Sequence, residues 1–140
     1  MNKLLIDCNI ILDWILNREP FSLYASYLVT LAEENKIDAY LSPLVLANTH
    51  YIVKKATNNA IAEEFLQDCK RIFKMINMSG EMTLKAISNR YKDFEDDLHY
   101  YSAIENNMDY IITRNIDDFI KDKIKLMSAE MYLLENRFIG

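Results

Sequence analysis

The apolar run Lys3-Leu4-Leu5-Ile6 passes directly into Asp7-Cys8-Asn9, and this junction constrains the fold more than any other stretch of the chain. A short strand with apolar side chains on successive positions is covered on both faces, which is the condition of a central strand in a parallel sheet. Open α/β sheets bind ligands beyond the carboxyl ends of their strands, where strand order reverses. A central first strand therefore puts Asp7 at the mouth of a site. A second reading of the same residues is local: Asp7 or Asn9 can cap a helix that begins near Ile10.

The remainder alternates between helical and extended patterns. Ile10, Ile11, Trp14 and Ile15 recur at helical spacing up to Leu16, and Leu23, Tyr27, Leu28 and Leu31 repeat the pattern between Phe21 and Glu34. Residues 37–42 read as a second strand, followed by a helix from Pro43 to about Lys55 with Ser42 as its cap. Asn48 falls in the second turn of that helix, on a side that can face the strand tips. A helix over 60–75, a third strand at Ile76-Asn77-Met78 and a helix capped by Ser79 follow. The acid cluster Asp93-Phe94-Glu95-Asp96-Asp97 opens another helix, in which Asp93 or Glu95 suits the cap and most of the carboxylates must be solvated or metal-bound. Asp109 to Thr113 is a fourth strand that delivers Thr113-Arg114-Asn115-Ile116-Asp117-Asp118. Ile124 to Met127 is a fifth, and Ser128 caps a last helix. Strands alternating with helices imply one α/β domain over residues 1–140, with a parallel five-stranded sheet and right-handed crossovers.

Composition narrows the function. With 51% hydrophobic residues, 2 Gly and 2 Pro, the chain has the makeup of a packed, helix-rich domain with short connections. Apolar runs are broken by charge before they reach membrane-spanning length, and no signal-peptide layout opens the chain; the expectation is a cytoplasmic protein without membrane contact. Cys8 and Cys69 lack ligand spacing and are expected as reduced, packed thiols, and His50 and His99 belong to no metal motif. A net charge of −5 argues against a generic nucleic-acid binder with a uniformly basic surface, an argument that loses force where acids gather around a divalent cation.

Three segments then converge on one edge: Asp7 and Asn9, the group Glu95-Asp96-Asp97, and the run Asn115 to Asp118. Such oxygen donors suit Mg²⁺ or Mn²⁺, which bind through one or two carboxylates and substrate phosphate. The matching chemistry is hydrolysis of a phosphodiester. A phosphotransferase of the haloacid-dehalogenase kind also places an Asp after its first strand, but it needs a second two positions on, where Asn9 stands. A receiver domain needs its acceptor Asp after a central third strand, and none is present there. Each of these acids can also be read as a cap or a solvated surface group.

These segments, in this order, resemble PIN domains, and in particular the VapC-like ribonuclease toxins of bacterial toxin–antitoxin systems. The resemblance rests on Leu5-Ile6-Asp7-Cys8-Asn9, on Leu41-Ser42 with the following helix, on Asp93 to Leu98 and on Ile112 to Phe119, and it covers nearly the whole chain. It implies a three-layer α/β/α PIN-like fold with a parallel five-stranded sheet, an acidic Mg²⁺ site at the strand tips, endoribonuclease activity on RNA, a homodimer and an antitoxin partner. Position by position, Asp7 and Asp96 match the metal-ligating acids. Asn48 stands where the family usually has a glutamate and Asn115 where it has its fourth acid, with Asp118 near enough to substitute. The implied catalytic group is Asp7, Asp96, Asp118, Asn115 and Asn48, with metal on Asp7, Asp96 and Asp118 and with Asn9, Glu95 and Thr113 in support. Two amides in place of two carboxylates also keep open a PIN fold that binds RNA or protein without catalysis.

Overall fold

The computed structural model describes residues 1–140. Strand β1 (Lys3–Ile6) leads into helix α1 (Cys8–Ile15), then α2 (Ser22–Glu33), β2 (Asp38–Leu41), α3 (Pro43–Ala56) and α4 (Asn59–Ile72). After these come β3 (Lys74–Met75), α5 (Gly80–Ser88), α6 (Phe94–Glu105), β4 (Tyr110–Ile112), a 3-10 turn (Ile116–Asp118), β5 (Lys125–Met127) and α7 (Ala129–Glu135). The five strands form one sheet in the order β3-β2-β1-β4-β5, and every pairing is parallel. From β1 the chain builds outward to β2 and β3, then returns to lay β4 and β5 on the other side. The order thus reverses at β1, and the crevice between β1 and β4 is the switch point where ligands of such sheets bind.

The alternation of side chains along β1 divides the core in two. Leu4 and Ile6 pack with Tyr110 and Ile112 of β4 against α1, α2, α3, α4 and α7, whereas Leu5 and Ile111 point the other way, toward Tyr100 and Ala103 of α6. Helix α5 packs on α6. This gives the expected three α/β/α layers, with β1 covered on both faces. Helices α1, α2 and α6 stop at Asn17, Asn35 and Asn107, whose φ of 52°, 58° and 57° is the left-handed conformation that asparagine tolerates at a helix end. No helix is long and apolar enough to cross a membrane.

The third strand departs from expectation. It is Lys74–Met75 rather than Ile76 to Met78, and α4 ends at Ile72 instead of running to Met75. Phe73 is already extended (φ −111°, ψ 152°), and Lys74 and Met75 pair with Tyr40 and Leu41. As an edge strand it is bonded on one side only, and both its residues are exposed, so it carries no apolar signature. Lys74 is held by its ion pair with Asp38 (2.8 Å) and lies over the Tyr40 ring. Ile76 continues the ladder by one bond to Leu41 (3.0 Å) and turns its side chain into the core, which is why it looks more strand-like in sequence.

Candidate active site

Asp7 leaves β1 in extended conformation and caps α1, one carboxylate oxygen accepting from the Cys8 amide (2.8 Å). The cap reading of Asp7 thus holds, and capping uses only one of its two carboxylate oxygens. Its other oxygen accepts from the hydroxyl of buried Thr113, at the tip of the adjacent strand (2.8 Å). Asn9 spans the same two tips: its Nδ2 is 3.5 Å from Thr113 Oγ1, and its Oδ1 accepts from the Arg114 amide (3.2 Å). The amide of Asn115 donates to Thr113 Oγ1 (3.0 Å), so a buried threonine organises the end of β4 around Asp7.

From the opposite side, Asp93 caps α6 by accepting from the Asp96 amide, and Glu95, Asp96 and Asp97 fill the first turn, where the helix dipole favours negative charge. Burial, then the charges of Asp7, Asp93, Asp118 and Glu95, push the half-buried Asp96 carboxyl up to about 7. Burial, Asp93 and Asp7 raise Glu95 as well, and a hydrogen bond from the Asn48 amide opposes the rise. Asp118, half-buried at the end of the 3-10 turn, is the acid of its segment whose charge reaches Asp96. Asn115 is exposed, and its carbonyl accepts from the Asp118 amide (3.0 Å). Asn48 thus meets Glu95, Thr113 meets Asp7, and Asp96 lies within the field of Asp7 and Asp118.

Three buried polar residues complete the setting: His99 and Asp13, which carry no site role in the sequence reading, and Asp97, which belongs there to the acid cluster. His99 lies with Nε2 2.6 Å from Ser42 Oγ and Nδ1 3.6 Å from Asp7 Oδ1. Burial lowers its pKa, with Asp7 acting in the opposite sense, so the ring is neutral. Ser42 Oγ already accepts from the Val45 amide (3.0 Å), which leaves its proton for Nε2 and places the ring N–H toward Asp7. The signal available in sequence was spacing: His99 follows Asp96 by one helical turn and shares its face. Asp97, expected among the solvated or metal-bound acids, is instead buried, accepting from the Tyr91 amide (2.9 Å) and lying 3.4 Å from Arg90 Nε. It ties down the loop before α6. Asp13 is fully buried and bonded by Arg114 (2.8 and 3.1 Å) and Arg18 (3.0 Å). Its position one turn after Ile10, on the inner face of α1, marked it.

No three His, Cys, Asp or Glu side chains come close enough together to form a ready-made metal cage. The donors do match a hard cation in kind. All are oxygens, and the mutual repulsion recorded in the raised Asp96 and Glu95 is what a divalent ion relieves. Cys8 and Cys69 are unpaired thiols, each pushed up to about 12, chiefly by burial, and offer no thiolate ligand.

Known proteins share this architecture. VapC20 of Mycobacterium tuberculosis, a toxin that cleaves the sarcin-ricin loop, superposes with a TM-score of 0.60 at 11% identity, over 77% of this chain and 86% of its own. VapBC2 of Rickettsia felis, crystallised on a DNA fragment from its promoter, gives 0.64 at 20% identity over 89% and 96%. FitAcB of Neisseria gonorrhoeae gives 0.63 at 15% identity over 91% and 98%. At these identities the likeness is one of fold. No curated protein sequence matches the chain. The sequence profile of the PIN domain matches residues 3–117, most of the chain, taking in the first three segments of the site and the fourth as far as Asp117, one residue short of Asp118; the chain belongs to the PIN domain family.

Proposed function

We propose that this PIN-domain chain is a Mg²⁺- or Mn²⁺-dependent endoribonuclease, acting in the cytoplasm as the toxin of a toxin–antitoxin pair. The observation that carries the reading is the electrostatics of the strand tips: Asp7 is buried without a cationic partner, and Asp96 opposite is raised to about 7 by burial and four carboxylates. Buried carboxylates crowded at a strand-tip crevice are a functional-site signature, and a divalent cation is the partner that relieves them. Asp7, Asp96 and Asp118 would hold the ion, which supplies a polarised phosphate and an activated water when bound. Thr113 and the Cys8 amide fix the Asp7 carboxylate, neutral His99 turns an N–H toward it, and Asn48 holds Glu95 at the rim. The likeness to VapBC2 and FitAcB supports an antitoxin as partner; a homodimer is part of the proposal on the family resemblance alone.

The missing closed cage and the amides Asn48 and Asn115 favour a second reading, a PIN fold that holds RNA or protein without cutting. One experiment separates the two. Purified protein with Mn²⁺ or Mg²⁺ is incubated with a panel of structured RNAs, beside D7N and D96N. Cleavage by wild type alone, abolished by chelator, supports the nuclease. Intact RNA throughout, with unchanged RNA affinity in both variants, supports the binding module.

A further inference from the structure

Arg114 follows Thr113 and lines a cavity of about 510 Å³, within the range of small-molecule sites. Its floor is Ile10 and Ala129, both buried, and Pro20 and Phe21 form an apolar wall. The Arg114 guanidinium stands 4.0 Å from the centroid of the Phe21 ring. It is fixed there by its two bonds to Asp13, a fully buried acid that also binds Arg18. The plane of Arg114 is thus set by a buried ion network rather than by solvent. The rest of the cavity's polar lining is Tyr24, Ser128 and Glu130, whose carboxylate accepts a hydrogen bond from the Tyr24 hydroxyl.

The charges point to a neutral guest. Arg114 and Arg18 balance Asp13 and Glu130, so no excess positive charge is left for a phosphate. What remains is a stacked cationic and aromatic pair, an apolar lining and a carboxylate that keeps acceptor capacity beyond its bond from Tyr24. Unpaired bases are recognised by this combination, stacked on aromatic rings or guanidinium planes and hydrogen-bonded along their edges. The cavity is also tied to the acidic site, because the Arg114 amide is bonded to Asn9, whose Nδ2 faces the same threonine that holds Asp7.

We infer that the cavity receives one unpaired nucleobase of the RNA, set against the wall of Phe21 and Arg114 with an N–H-bearing edge on Glu130. Guanine is preferred, since its Watson–Crick edge carries two adjacent N–H donors. This assignment rests on the ribonuclease reading for its biological meaning, but its test does not need cleavage. The full-length protein in EDTA is titrated with GMP, AMP, CMP and UMP while the methyl resonances of Ile10 and Ala129 are followed by NMR. GMP is expected to shift both saturably and more tightly than the other three. F21A weakens the binding about tenfold, the scale of one stacked base, and E130A removes the preference for GMP. No saturable shift with any nucleotide, or shifts indifferent to both substitutions, overturns the assignment. So does a response to a short amidated arginine peptide where the nucleotides give none, which would make the cavity a seat for a protein partner. GMP binding without RNA cleavage leaves the cavity assignment standing and sinks the nuclease; cleavage without nucleotide binding does the reverse.

Discussion

Asp7 and Asp13 belong to the two ends of one short helix, both buried, and they meet opposite company. Asp13 sits between two guanidinium groups, bonded three times, in an arrangement that closes on itself. Asp7 has a hydroxyl, a backbone amide and a neutral imidazole, and beyond them further carboxylates. The first is what folding does with a buried charge when only stability matters: it pairs it. The second is a charge kept organised but uncompensated, and on our proposal that difference, more than burial, marks Asp7 as the functional acid and Asp13 as the structural one.

That contrast can be broken most forcefully at Asp13. D13A removes a buried acid whose partners Arg114 and Arg18 are partly exposed and can resolvate, and it should cost about 1.5–3 kcal/mol in urea unfolding, the scale of its charged hydrogen bonds. D7N keeps a capping side chain and should stay within about 1 kcal/mol of wild type, while RNA cleavage disappears. Equal destabilisation by the two would erase the distinction. A sharper probe is H99Q, which removes the imidazole between Ser42 and Asp7. A group that orients a metal ligand is expected to weaken Mn²⁺ binding by about 10- to 100-fold, with the circular dichroism spectrum retained.

Acidity probes the same difference without mutation. Folding raises Asp96 from an ordinary 3.8 to about 7, so between these values the folded state holds a proton that the unfolded chain has released. The stability of the metal-free protein should therefore fall as pH rises from about 4 to about 7, and D96N should flatten that slope. Mn²⁺ affinity should rise over the upper part of the window, as the proton gives way to the ion. The smallest effect belongs to Asp93, which caps α6; D93A should cost about 1 kcal/mol of stability.

Sequence and structure agree best where burial is two-sided. Leu4 to Ile6 and Tyr110 to Ile112 are read as strands because both faces are covered, and Asp7 follows from their position. The edge strand at Lys74–Met75 escapes because it is exposed and pairs on one side. In the site, the acids are visible as residue types at strand and helix ends, whereas their partners are not. Asp7 meets Thr113 and His99, and Asp13 meets Arg114, across separations of roughly ninety to a hundred residues that no local pattern encodes. The same holds for Asp97, whose burial depends on how the loop through Tyr91 folds back over the start of α6.

The account rests on the uncompensated acids of the strand tips being held for a divalent ion. Its most direct test is calorimetric titration of Mn²⁺ into the wild-type protein, D7N and D96N at a pH above 7. A saturable site in wild type that both substitutions abolish is the predicted result. Three indistinguishable titrations, whether all binding or all silent, would contradict it.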